Sequence, residues 1–198
     1  LRTYRYSSFG KVVEIKDYRS FERDANHAYV SRQYEYDSFG RVHRICYRDS
    51  DALDVTKEQY EYVYDKNSRI LMESIQKNYV AENIGTIDER RMYTYDALGR
   101  LTASEKWDCT DDTRVRATYT YDKVGNRISR TENGVTTDYT YNSLNQLINE
   151  KTTEASVLKN DKVIEYDLNG NLQNETDKIG NTRSEYSYAV ENRLTTFV

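Results

Sequence analysis

No proline occurs in the 198 residues, and no glycine- and serine-rich stretch takes its place as a linker. Nothing in the composition divides the chain, so one domain spanning residues 1–198 is expected. Histidine is nearly as scarce. His27 and His43 stand in different stretches, without metal-ligand spacing or a sequence-apparent Ser or Cys partner, and read as solvated residues. The two cysteines, Cys46 and Cys109, would join different stretches if bridged. Spacing does not decide whether their Cα atoms come within about 7 Å, and free thiols are the preferred reading. A basic surplus is missing too: 29 Lys and Arg against 33 Asp and Glu leave a net charge of -4. With a pI near 5.4, this argues against nucleic acid, which needs a dense basic face. No apolar run approaches membrane-spanning length, and no secretory signal opens the chain. It starts at Leu1 in a strand-like stretch, as expected of a piece of something longer.

Apolar residues are also in short supply, at 37%, and the mean hydropathy is -0.95. Twenty tyrosines offset the deficit. Tyr buries a large area while its hydroxyl seeks a partner or water, which suits a half-buried, twisted sheet better than a dry interior. So many aromatics also set the chain apart from disordered sequences.

The tyrosines recur in a phrase: Tyr-x-Tyr-Asp, two variable residues, Gly, a polar residue, an aliphatic. The clearest copy is Tyr93-Thr94-Tyr95-Asp96-Ala97-Leu98-Gly99-Arg100-Leu101, with relatives at Tyr4 to Val12, Tyr34 to Val42 and Tyr119 to Ile128. Counted by the second tyrosine, copies fall at Tyr6, Tyr36, Tyr64, Tyr95, Tyr121, Tyr141, Tyr166 and Tyr188, 20 to 31 residues apart. That is the period of a repeat array. Tyr at i and i+2 places two rings on one face of a strand. Asp37, Asp65, Asp96, Asp122 and Asp167 then open a type I turn, and Gly10, Gly40, Gly99, Gly125 and Gly170 close it as G1 bulges with positive φ. Such a loop sets Tyr95 opposite Leu101, Tyr36 opposite Val42, Tyr6 opposite Val12 and Tyr166 opposite Leu172.

Imperfect copies test this. Asn145 and Asn192 fill the glycine position and tolerate left-handed φ. Ser68 is a poorer fit, so Asn67 is expected to take the positive φ through a shifted loop. Ile128 comes one residue late after Gly125, so that loop is expected to be longer by one. Second turns are signalled at Glu132-Asn133-Gly134-Val135, Lys178-Ile179-Gly180-Asn181 and Lys159-Asn160-Asp161-Lys162. The expected fold is all-β: an array of antiparallel hairpins forming one long, open, twisted and curled sheet of roughly 14 to 18 strands. Leu71 to Arg91, lacking strict alternation, is read as strand and loop. Edge strands at about Leu1 to Tyr6 and Arg193 to Val198 would invite strand pairing.

These residues resemble the YD-repeat, or RHS-repeat, family, and the resemblance spans essentially the whole chain. Tyr-Asp-x-x-Gly-Arg-Leu at Tyr95 to Leu101, Tyr-Asp-x-x-Gly-Asn at Tyr121 to Asn126 and Tyr-Asp-Leu-Asn-Gly-Asn-Leu at Tyr166 to Leu172 carry it. The resemblance implies hairpins coiled into a hollow shell, as in bacterial RHS and wall-associated polymorphic toxins, insecticidal toxin complexes and teneurins. It implies a secreted or cell-surface protein whose shell encloses a C-terminal toxin domain. This chain would then be a non-enzymatic wall segment, with adjacent repeats and the toxin domain as partners. It departs from a complete member in having few repeats, no Asp-Pro form of the motif, and no toxin or self-cleaving region after Val198.

Catalytic and metal chemistry are not signalled. Asp49 to Asp54 hints at a calcium loop but places Leu53 where an oxygen ligand belongs, lacks the central Gly, and has Tyr60 where a bidentate Glu is needed. Asp108, Asp111 and Asp112 read as an acidic turn. No cofactor is expected. The rival to a structural role is a carbohydrate-binding or adhesion surface, in which exposed rings stack on sugars. Tyr18, Tyr29, Tyr47, Tyr60, Tyr79 and Trp107, off the second-tyrosine register, are its candidate residues.

Overall fold

The computed structural model describes residues 1–18, 29–50, 55–79 and 85–198. His27 and the Asp51 to Asp54 part of the suspected calcium loop lie outside the described residues, as does the side chain of Tyr79. Sixteen strands follow sequence order in one open antiparallel sheet, with no α-helix among the described residues. The chain divides into two compact units, Leu1–Tyr95 with Ser104–Val115, and Asp96–Ala103 with Arg116–Val198.

The first unit contains β1 (Arg2–Tyr6), β2 (Val12–Tyr18), β3 (Tyr29–Tyr36), β4 (Val42–Asp49), β5 (Val55–Tyr64), β6 (Ile70–Tyr79) and β7 (Gly85–Tyr95). Strands β8 (Leu101–Asp108) and β9 (Thr113–Tyr121) each give residues to both units. The second unit holds β10 (Arg127–Glu132), β11 (Val135–Tyr141), β12 (Leu147–Glu154), β13 (Val157–Tyr166), β14 (Leu172–Asp177), β15 (Thr182–Tyr188) and β16 (Leu194–Phe197).

Register follows the motif. Tyr6 pairs with Val12, Tyr36 with Val42, Tyr64 with Ile70, Tyr141 with Leu147, Tyr166 with Leu172 and Tyr188 with Leu194. Each pairing is followed by a bulge: Tyr36 faces Val42 while Glu35 faces Arg44, so His43 is skipped. One skipped residue reverses the alternation of everything beyond it. Tyr34, Ile45, Tyr47 and Tyr60 consequently share one face, although Tyr34 and Tyr47 differ in parity.

Three turns depart from expectation. Ser68 itself takes the left-handed conformation, φ 63°. The unshifted loop keeps both closing bonds, Ser68 N–H to the Asp65 carbonyl at 3.1 Å and Asp65 N–H to the Arg69 carbonyl at 2.9 Å. Nor is the fifth loop longer: Asp122 N–H donates to the Asn126 carbonyl at 2.9 Å, as in the other copies. Arg127 takes the place opposite Tyr121, and the surplus Ile128 occupies the bulge. Lys159 to Lys162 is not a turn but the interior of β13. The chain reverses at Ala155-Ser156, with φ 45° and 67°, between paired Glu154 and Val157. Buried Asp161 serves sheet pairing there, accepting from the Asn149 amide at 2.8 Å.

Few side chains leave solvent completely. Ile75 and Cys46 are the buried apolar residues described in the first unit, Ala117 and Ile164 in the second. Polar Ser31, Glu89, Thr137, Asp161 and Asn174 are buried beside them. The strands are thus held by pairing across the sheet more than by a dry core.

Backbone conformation at the turn tips should be measurable. Gly125 has φ 102° with open space where a Cβ would stand, so Gly125→Val is expected to lose about 1–2 kcal/mol from conformation alone. Ser68→Gly should gain on the order of 1 kcal/mol at the same turn position. Urea unfolding of both variants checks the pair, and a neutral Gly125→Val would rule out the left-handed requirement.

Candidate functional site

The repeated feature with the densest chemistry is the line of turn tips. In seven of the eight, the first residue's side-chain oxygen accepts from the backbone two and four residues on; the eighth opens with Ala189 and closes by backbone bonds alone. Asp96 Oδ1 takes the N–H groups of Leu98 and Arg100, both at 2.9 Å. Asp37, Asp65, Asp122 and Asp167 repeat the pattern. Asn142 Oδ1 and Ser7 Oγ substitute for a carboxylate in the same role.

The second carboxylate oxygen receives the side chain after the glycine. Arg41, Arg69 and Arg100 donate Nε to Asp37, Asp65 and Asp96 at 2.6–2.7 Å, and Asn126 and Asn171 donate their amides to Asp122 and Asp167 at 2.9 Å. These donors hold the carboxyls below their ordinary value: the Arg100 backbone and then its guanidinium for Asp96, the Arg69 backbone first for Asp65, the Asn171 amide first for Asp167.

The same post-glycine side chain reaches the next tip. Arg41 Nη1 donates to the Asp65 carbonyl at 2.8 Å, and Arg100 Nη1 to the Asp122 carbonyl at 2.9 Å. Asn126 reaches Asn145 Oδ1 and Asn171 reaches Asn192 Oδ1, each at 3.0 Å. Lys11 donates to the Gly40 carbonyl. A Cβ on Gly40 would meet only the flexible end of the Lys11 side chain, so the requirement for glycine there rests on φ 76°. The cations also lie over the next hairpin's ring, 4.6–4.9 Å from the centroids of Tyr36, Tyr64, Tyr95 and Tyr121.

That ring completes the step. The hydroxyls of Tyr36, Tyr64, Tyr95, Tyr121, Tyr141 and Tyr166 donate to the carbonyls of Val12, Val42, Ile70, Leu101, Arg127 and Leu147 at 2.7–3.0 Å. Each acceptor is the residue two beyond the previous tip's glycine position. Burial pushes the phenols of Tyr64, Tyr95, Tyr141 and Tyr166 up, so they stay protonated donors well into alkali.

The suspected ligand-facing rings are not gathered into one place. Tyr18 and Tyr29 pair across β2 and β3 with centroids 5.6 Å apart, on the face opposite Tyr34 and Tyr36. Tyr47 and Tyr60 meet edge-on at 6.0 Å on the motif face, and the Tyr60 hydroxyl donates to Glu58 at 2.6 Å. Trp107 lies 4.3 Å from the Arg114 guanidinium and 5.4 Å from that of Arg90, and its Nε1–H donates to Asp112 at 2.9 Å. All five are half-buried, and Tyr79 ends β6. Far more exposed are the apolar residues at the tips themselves: Phe9, Phe39, Leu98, Val124, Leu144, Leu168 and Val190. They fall within the two positions read as variable, and an apolar residue recurring there was the available signal.

No group of three His, Cys, Asp or Glu among the described residues could hold a metal ion. His43 is exposed, with Nδ1 3.2 Å from the Tyr62 carbonyl oxygen. Both thiols are free, and burial raises that of Cys46.

In sequence the chain is similar to the tRNA3(Ser)-specific nuclease WapA of Bacillus spizizenii, at 30% identity over 174 residues, 79% of this chain and 7% of that protein. It is also similar to the tRNA nuclease WapA of Bacillus subtilis (strain 168), at 34% identity over 117 residues, 58% of this chain and 5% of that one. The chain therefore spans less than a tenth of the length of these curated relatives. No family model matches it. Among solved structures it resembles the crystal structure of TcdB2-TccC3-TEV, with a TM-score of 0.50 and 16% identity over 99% of this chain and 13% of that chain. That likeness is one of fold.

Two outcomes test the tip network. Tyr64→Phe deletes one hydroxyl and is expected to cost about 1 kcal/mol, while Tyr6→Phe, at an exposed ring whose hydroxyl has no partner among the described residues, should be neutral in the same urea titration. Because Asp96 titrates lower folded than its ordinary 3.8, its contribution is present above the unfolded value and lost as pH falls through the folded one. Asp96→Asn, which copies Asn142, should flatten the decline in melting temperature between about pH 5 and 2. An unchanged profile would sink this account.

Proposed function

We propose that this chain is a non-enzymatic wall segment of a toxin-associated RHS-type shell, secreted or held at the cell wall, that encloses or displays a C-terminal toxin domain. The observation that carries the reading is the recurring step between hairpins: Lys11, Arg41, Arg100, Asn126 and Asn171 reach forward to the next tip, and the tyrosine hydroxyl of a following hairpin reaches back to the one before. A step that repeats in this way lets a wall lengthen by adding copies, each needing only its neighbour. The similarity to two much longer nucleases over a small share of their length supports the same reading, since their named activity would then reside outside the matched span. The carboxylates offer no alternative, because the regular Asp residues are consumed in turn closure.

Two experiments bear on this. Purified chain incubated with bulk tRNA and magnesium is expected to leave the tRNA intact, and cleavage lost on substituting a residue of this chain would overturn the non-enzymatic assignment. In a longer protein carrying these repeats, a C-terminal toxin domain should resist added protease while the repeats are intact. It should become sensitive when Gly125→Val loosens the wall, and equal digestion of both would exclude enclosure.

A further inference from the structure

Two Asn-Gly pairs occur in the chain, Asn133-Gly134 and Asn169-Gly170. The dipeptide carries a reaction of its own, because no side chain on the glycine hinders its amide nitrogen from reaching the neighbouring carboxamide. Both asparagines are exposed, and neither carboxamide has a partner among the described residues. Sequence alone gives the two pairs equal standing. Their turns separate them.

Asn169-Gly170 sits in a tip. There the Asn169 N–H donates to Asp167 Oδ1 at 2.9 Å and the Gly170 N–H to the Asp167 carbonyl at 3.0 Å. The Gly170 nitrogen is thus occupied by turn closure, and Gln146 Nε2 crowds the residue, 3.2 Å from where a Cβ would stand. Asn133-Gly134 instead makes the two-residue reversal between paired Glu132 and Val135, at the opposite end of the strands. Asn133 has φ 49° and Gly134 φ 80°. The Gly134 N–H donates to nothing among the described residues, and the space around Gly134 is open.

We infer that Asn133 is a deamidation site, converting in the folded chain through a cyclic imide to aspartate and isoaspartate while Asn169 is spared. Water or hydroxide takes the Gly134 amide proton, the nitrogen attacks Asn133 Cγ, and the Cγ–Nδ2 bond breaks as the amide nitrogen takes up a proton and leaves as ammonia. One water then opens the ring. Addition at the side-chain carbonyl restores an ordinary peptide link at Asp, and addition at the main-chain carbonyl leaves an isoaspartyl link with one more methylene in the backbone. At a tip that extra length would displace a motif tyrosine, whereas at Asn133 it falls in a second turn, outside the tip network. The new carboxylate stands beside Glu132, whose own charge is met by Arg130.

The inference does not rest on the shell assignment, and the chain alone tests it. Folded chain would be aged in mildly alkaline buffer, digested and read by mass spectrometry, each converted peptide showing NH exchanged for O. Methyl transfer from S-adenosylmethionine by isoaspartyl methyltransferase would report the isoaspartyl share. Conversion at Asn133 is expected to run at least about fivefold faster than at Asn169, the factor carried by one retained hydrogen bond of ordinary strength. In concentrated urea, with both turns open, the two rates should approach each other. Asn133→Gln, whose longer side chain disfavours the five-membered ring, should abolish conversion at that position and leave the Asn169 rate unaltered. A smaller ratio in the folded chain, a ratio that persists in urea, or an Asn133 that stays intact while folded would overturn the inference.

Discussion

One residue in each motif hairpin must hold a positive φ, and the rest of the sheet depends on it. Where Gly40, Ser68 or Asn145 does so, the chain reverses in a fixed loop, the second tyrosine meets the aliphatic residue, and the bulge falls one residue later. A loop of another length would move that tyrosine to the other face and carry its hydroxyl away from the preceding tip. That Ser accepts this conformation at 68, at an ordinary cost of about 1–2 kcal/mol, shows how strongly its neighbours over-determine the turn. Arg41 reaches both the Asp65 carbonyl and Ser68 Oγ, so the preceding hairpin helps impose the geometry that Ser alone resists.

The same dependence explains how a sheet with few buried apolar residues holds together. Burial is partial nearly everywhere, and charged side chains pair in cross-strand clusters. Arg32 and Arg2 flank Asp17, while Arg91 and Lys106 both engage buried Glu89. Removing either cation would leave a shielded carboxylate undercompensated. Exposed pairs such as Lys159 with Glu154 contribute much less, being screened and mobile. Tyrosine is the natural currency of such a surface because its ring covers the strands while its hydroxyl finds a carbonyl across the step.

Much of this was legible in the sequence because the motif combines two independent signals, a period-2 tyrosine pair and a turn whose third step tolerates left-handed φ. Those signals locate the hairpins and their facing pairs. They do not reveal what depends on neighbours. The left-handed Ser68 runs against its local preference, and Ala155-Ser156 carries none of the Gly, Asn or Asp that favour positive φ, its reversal being set by the pairing of β12 with β13. Ile128 misled for a related reason: its apolar side chain suggested the place opposite Tyr121, yet loop length is set by Asp122 and Gly125, and Arg127 receives that place. The bulge also hides which off-register rings share a face, since parity counted from Tyr36 fails beyond His43. Phe9 and Phe39 escaped notice because the two residues between Asp and Gly are free of any turn requirement.

The spacing of the motifs varies from 20 to 31 residues, yet the Tyr hydroxyl reaches the preceding hairpin at both extremes, from Tyr95 to Ile70 and from Tyr141 to Arg127. Changes in length must therefore be absorbed at the opposite ends of the strands. β7 runs for 11 residues where β10 has six. Among second turns lying wholly within the described residues, the lengths range from the two-residue Asn133-Gly134 reversal to the four residues between Asp177 and Thr182. A tip edge under tight geometric constraint thus stands across each hairpin from an edge free to lengthen, shorten or change composition. Insertions that alter what such an array displays belong on that second edge, because one extra residue at a tip would break the bonds to two neighbouring hairpins at once.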